Sequence, residues 1–123
     1  MSSRRRSVLV AAAAALVLLL AIPAAAQAFW GAIAIDPTNG HVGFSHRQPN
    51  ANKAQTVARN DCGTSHCKAA VWVFNGYGAV VLKKNGVFIS GLGRTKAQAF
   101  ENARKRAGEP TAKKVAWVFS GLS

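Results

Sequence analysis

Three histidines, four carboxylates and two cysteines make up the reactive inventory of this 123-residue chain. His41 and His46 share a stretch that reads as the second strand of a hairpin. Two imidazoles in a basic protein are what a ribonuclease-like phosphodiester hydrolase would use, one accepting a proton while the other donates. Five residues of strand put the pair on opposite faces, unless a bulge at Gly43 changes the phase. Asp36 opens the turn sequence Asp36-Pro37-Thr38-Asn39-Gly40, where a carboxylate caps its own loop. Asp61 and Glu101 fall on helices beside basic residues and read as solvated charges. Glu109 completes the set of acids. No Gly-x-Ser-x-Gly, His-Glu-x-x-His or phosphate-cradling loop is present. Gly91-Leu92-Gly93 lacks the third glycine of a dinucleotide site and reads as a strand ending in a flexible entry to a helix. No cofactor is expected, and catalysis by His41 or His46 stands as the alternative to a non-catalytic role.

Cys62 and Cys67 enclose Gly63-Thr64-Ser65-His66. A zinc reading would recruit His66 and Asp61, but there is no second cysteine cluster and no convincing fourth ligand, so no metal is expected. The spacing is not that of a Cys-x-x-Cys redox motif. In an exported chain such a pair reads as a disulfide staple.

The elements that must hold these residues come in two copies. Trp30-Gly31-Ala32-Ile33-Ala34-Ile35 is answered by Tyr77-Gly78-Ala79-Val80-Val81-Leu82, and Ala70-Val71-Trp72-Val73-Phe74 by Val115-Ala116-Trp117-Val118-Phe119. The openings are offset by 47 and the closings by 45, which places a two-residue loss in the loops between. Asn39-Gly40 and Asn85-Gly86 signal hairpins. Ala54, Ala58 and Cys62 share one helical stripe over Ala51 to Cys62, and Ala99, Ala103 and Ala107 share another over Lys96 to Ala107. Asn50 or Asn52 caps the first helix. Thr95 with Gln98 starts the second, and Gly108 with Pro110 ends it. The fold class is therefore α+β, two pseudo-equivalent ββαβ repeats (about 29–76 and 77–123) in one compact domain with mainly antiparallel sheet and two helices. The closing strands are apolar on both faces, which predicts a central place in the sheet.

Charge divides the copies. Across the chain 16 Lys and Arg face four acids, a net +12. The first repeat carries four cations against two acids. The second carries nine, Lys83, Lys84, Arg94, Lys96, Arg104, Lys105, Arg106, Lys113 and Lys114, against two. This set is the candidate binding surface, suited to an anionic partner such as acidic lipid, wall polymer or nucleic acid. Cations at a helix C-terminus also stabilise the helix. No aromatic residues interleave these charges in the way a single-strand binder would need.

Residues 1–28 have the build of a secretory signal: Arg4 to Arg6, the uncharged apolar run Val8 to Ile22, Pro23, then Ala26-Gln27-Ala28 for cleavage. Arg5-Arg6 also suits a twin-arginine route. Cleavage would remove three cations and lower the net charge from +12 to +9. The product, 29–123, is expected outside the cell or at its envelope.

The Trp30-Gly31-Ala32-Ile33-Ala34 opening, the Cys62-Gly63 helix end, Cys67 and the Val71-Trp72-Val73 strand, in that order, resemble the family called domain of unknown function 4189. Its members are small exported bacterial proteins, many of them actinobacterial and often built of two such units. The resemblance covers essentially all of 29–123. It implies a secreted protein without assigned enzymatic activity, and some relatives are discussed as effectors acting on host cells. The second copy departs from the pattern, with Ala107 and Ala112 in place of cysteines and a strongly basic surface. The leading expectation is a non-catalytic interaction module or effector that binds a protein or anionic partner outside the cell. A small secreted hydrolase and a structural envelope protein are the alternatives.

Overall fold

Each opening strand alternates small with branched side chains, a pattern that suits a strand covered by a helix on one face and by a second sheet on the other. In the structure, a computed structural model that describes residues 29–121, this is how they sit. The expected signal peptide lies outside the described residues. The elements are β1 (Trp30–Ile35), β2 (Val42–Gln48), α1 (Ala51–Cys62), β3 (Lys68–Phe74), β4 (Tyr77–Leu82), β5 (Phe88–Gly93), α2 (Lys96–Ala107) and β6 (Lys113–Phe119). They form ββαβ twice, with two antiparallel sheets ordered β2-β1-β3 and β5-β4-β6.

The layers run helix, sheet, sheet, helix. Ile33, Ile35, Val71 and Val73 of the first sheet meet Val80, Ala116 and Val118 of the second. On the outer faces Ala32 and Ala34 pack under Ala54, Ala58 and Cys62 of α1. Ala79 and Val81 pack under Ala99, Phe100, Ala103 and Ala107 of α2. Asn50 caps α1, its side chain accepting from the Lys53 amide at 2.8 Å. Thr95 caps α2 by accepting from the Gln98 amide at 3.0 Å, and the Gln98 side chain returns to the Arg94 amide at 2.7 Å. Gly63 and Gly108 end the helices with φ of 87° and 68°, the left-handed conformation that favours glycine.

Three expectations are corrected. The central strands are β1 and β4, while β3 and β6 are edges. Apolar residues on both faces of β3 did not mean cover on both faces. Val71 and Val73 point into the core, but each helix sits over the first two strands of its unit, so Trp72 and Phe74 stay exposed. Gly91 and Gly93 serve close packing rather than a flexible helix entry. An added Cβ at Gly91 would overlap the Ala103 amide and lie 2.5 Å from the Ala99 carbonyl oxygen. Gly43 stands in the same relation to Ala58 and Cys62 of α1. The irregularity in the β1–β2 ladder, finally, falls between the Trp30 and Ala32 positions rather than at Gly43. It spans His46 and Arg47, and Arg47 takes a left-handed φ of 56°.

Ser120, fully buried, ties the sheets together. Its hydroxyl accepts from the Gly76 amide at 2.8 Å, its amide donates to the Gly76 carbonyl at 3.0 Å, and its carbonyl accepts from the Arg47 amide at 2.9 Å.

Candidate functional site

The reactive residues of the first copy are tied up in structure. Cys62 and Cys67 form a disulfide with Cα atoms 6.1 Å apart, joining the end of α1 to the start of β3. Asp36 is buried beside this loop. Its carboxylate accepts from the Thr38 hydroxyl at 2.6 Å, the Thr38 amide at 2.9 Å and the Thr64 hydroxyl within the disulfide loop. The Thr38 hydroxyl foremost, then that of Thr64, hold its carboxyl from the ordinary 3.8 down to about 2, with burial opposing. Asp36 therefore caps its own turn, as its sequence suggests, and also clamps that turn to the staple. Asp61 is no free solvated charge, because it accepts from the Phe44 amide of edge strand β2 at 2.8 Å. Glu101 pairs with Lys105 at 3.1 Å on the exposed face of α2.

All three histidines are exposed. His41 precedes β2 in the turn and His46 lies within it. The strand from Val42 to His46 alone rises by roughly 13 Å, so the two side chains stand well apart. His66 lies in the disulfide loop. Among the described residues no group of three His, Cys, Asp or Glu side chains could hold a metal ion.

The nine cations divide between two ends of the second sheet. Lys83 and Lys84 form the β4–β5 turn, and Leu82 pairs with Lys113 beside it. The C-terminus of α2 arrives at the same end, where Arg104, Lys105 and Lys114 line a recess of about 550 Å³ floored by Phe100 and Pro110. Lys114 lies over the Phe100 ring at 5.0 Å. Two acids sit at this end: Glu101 lines the recess, and the Glu109 carboxylate accepts from the Lys84 amide at 3.1 Å. Arg94 and Lys96 sit at the opposite end, with Lys96 4.6 Å from the centre of the Trp117 ring. Aromatic rings do therefore accompany the charges, brought there by folding rather than by sequence adjacency. Two arginines also do structural work: Arg104 donates to the Ala112 carbonyl at 3.0 Å and Arg106 to the Ser90 carbonyl of edge strand β5 at 2.8 Å.

Two grooves that sequence reasoning missed run along opposite seams of the sandwich. One, about 660 Å³, lies between β2 and β6 and is lined by Phe44, His46, Arg47, Trp117 and Phe119. The other, about 570 Å³, lies between β3 and β5 with α2, lined by Trp30, Trp72, Phe74, Arg94, Gln98 and Asn102. The available signal was the phase of Trp72-x-Phe74 and Trp117-x-Phe119, which is opposite to that of the core valines.

Fold and site together define a small, disulfide-stapled, two-repeat sandwich with one markedly basic end and paired aromatic seams. Among the described residues no helix is long and apolar enough to cross a membrane. The chain belongs to the family described as Domain of unknown function (DUF4189), whose model matches residues 30–118. It is similar to the solved NMR structure of Rv1813c from Mycobacterium tuberculosis, with 29% identity, 75% of each chain covered and a TM-score of 0.57. No curated protein matches it in sequence.

Proposed function

We propose that the protein is a non-catalytic interaction module that works outside the cell, holding an anionic partner at the basic end of its second sheet. The gathering of Arg104, Lys105 and Lys114 around the Phe100 recess, with Lys83, Lys84 and Lys113 at the same end of the sheet, carries this reading. Glu101, which pairs with Lys105, and Glu109 offset only part of the positive charge there. Export through the segment 1–28, followed by its removal, fits the covalent staple between Cys62 and Cys67. The hydrolase alternative draws no support from the separation of His41 and His46.

Binding to phosphatidylglycerol vesicles, cell-wall polymer and nucleic acid is measured across a salt series. Each lysine near an anionic surface contributes about 1 kcal/mol, so Lys83→Gln with Lys84→Gln should weaken binding roughly 30-fold. Rising salt should weaken it further. Absent or salt-insensitive binding to all three would sink the proposal.

A further inference from the structure

The seam grooves hold half-exposed aromatic rings that the core does not need. Trp72 and Trp117 are 45% and 42% exposed, and Phe74 is 48% exposed. Trp72 and Trp117 occupy the same place in β3 and β6, as do Phe74 and Phe119. Each groove is completed by one arginine, and the two arginines reach it from different backbone positions. Arg94 follows β5 directly, whereas Arg47 belongs to the irregularity in β2 and takes up a left-handed conformation to do so. Among the described residues neither guanidinium lies within ion-pair distance of a carboxylate. The same trio of Trp, Phe and Arg is thus assembled twice, by two different routes, although Lys96 already covers one face of the Trp117 ring and leaves the other to its groove.

The β3–β5 groove adds planar amides already fixed in orientation. Gln98 accepts from the Arg94 amide through its oxygen at 2.7 Å, which turns its NH₂ group to other partners. Asn102 donates to the Leu92 carbonyl at 2.6 Å, which leaves its own oxygen as an acceptor. Ring faces attract the weakly positive C–H face of a sugar, orientated amides match hydroxyl groups, and a guanidinium takes a carboxylate or phosphate. Concave sites of this volume, apolar with a few placed polar groups, suit a small ligand.

We infer that each seam groove binds an acidic glycan, with a sugar ring on Trp72 or Trp117 and its carboxylate or phosphate on Arg94 or Arg47. A membrane surface fits less well, because the grooves open on opposite sides of the sandwich and one flat bilayer meets only one of them. The inference uses none of the lysines at the basic end, so it stands or falls apart from the reading of that end.

Tryptophan fluorescence and isothermal titration of the protein test it. The probes are an oligogalacturonate for carboxylate, a phosphomannan for phosphate, cellopentaose as the neutral glycan, oligoglutamate as an acidic peptide, and phosphatidylglycerol vesicles. One of the acidic glycans should bind saturably at two sites per chain, at least tenfold tighter than cellopentaose. Trp72→Ala should leave one site, Trp117→Ala should leave the other, and Arg94→Gln should weaken the first tenfold. Circular dichroism should confirm that these surface variants fold, while Lys83→Gln with Lys84→Gln leaves the two tryptophan-dependent glycan sites unchanged. The inference is overturned if neither acidic glycan binds, if oligoglutamate binds as tightly, or if binding survives both tryptophan changes. Vesicle binding that depends on Trp72 without any glycan binding overturns it in favour of a membrane site.

Discussion

Replacing Cys62 and Cys67 together by alanine tests what the staple contributes, and the protein already contains its own control. The second repeat carries Ala107 and Ala112 at the matching places, both buried, so an alanine pair fits this site without a cavity of consequence. The native state should barely change, and the cost should come from the unfolded chain. The bridge spans a sequence separation of five. Closing so short a loop removes about 2 kcal/mol of unfolded-state entropy. A domain of this size loses about 4–8 °C of Tm per kcal/mol, so the double variant should melt roughly 10 °C lower. Urea unfolding with the linear-extrapolation slope recorded is the assay, and the wild type in reductant should move by the same amount. Without the bridge the loop's conformation depends more heavily on the Thr64–Asp36 hydrogen bond, which ties it to the first hairpin turn. Asp36→Asn should consequently cost more in the double variant than in the wild type. A loss below about 0.5 kcal/mol, set against the 2 expected from loop closure, would refute the reasoning. So would a reduced wild type that melts where the oxidised one does.

Asp36 has its carboxyl lowered from 3.8 to about 2, so its stabilisation is complete above pH 4 and is lost as pH falls through 2. Thermal melts from pH 5 to pH 1.5 should show that decline, and Asp36→Asn should flatten it. Gly91→Ala drives a methyl into the backbone of α2, which should cost about 3 kcal/mol in urea unfolding. A loss below 1 kcal/mol, the scale of an ordinary helix or strand substitution, would mean that α2 can lift away freely. Ser120→Ala strips the buried Gly76 amide of its acceptor and should cost about 1–3 kcal/mol, with amide exchange at Gly76 accelerated.

The parts of this fold that were legible in the sequence are those governed by local rules. Alanine stripes and capping residues mark both helices at Ala51–Cys62 and Lys96–Ala107, and the offset of the repeats foretells the doubled ββαβ order. Asn39-Gly40 and Asn85-Gly86 mark turns because only a few residues accept the left-handed backbone adopted at Gly40 and Gly86. What escaped depends on neighbours distant in the chain. A strand with Val71 and Val73 on one face and Trp72 and Phe74 on the other does not reveal how far a helix extends across it. Periodicity reports which residues share a face and says nothing of what covers that face. The clamp from Asp36 to Thr64 crosses 28 residues, and the bond from Asp61 to Phe44 crosses 17, so neither leaves a local trace. The division of the nine cations into two ends likewise follows from the return of α2 along the sheet.

Comparison of the repeats shows the same two loops fastened in two different ways. In the first, a buried carboxylate and a threonine join the hairpin turn to the loop after the helix, and a disulfide closes that loop. In the second, Lys83 stands where Asp36 does and Glu109 where Thr64 does, and the Glu109 carboxylate takes the Lys84 amide instead. The same two loops are thus fastened in both copies, by opposite placement of the acid. That exchange adds one positive unit to the second copy, since Asp36 and Thr64 together carry −1 while Lys83 and Glu109 together carry none; the remaining difference comes from its additional lysines and arginines. Concentrated positive charge strains its own end by self-repulsion. The C-terminal dipole of α2 beside Arg104, Lys105 and Arg106 offsets part of that strain. The bond from Glu109 to the Lys84 amide gives that end a tie of its own. Because the disulfide lies in the other repeat, reduction should weaken the fold without touching the basic surface.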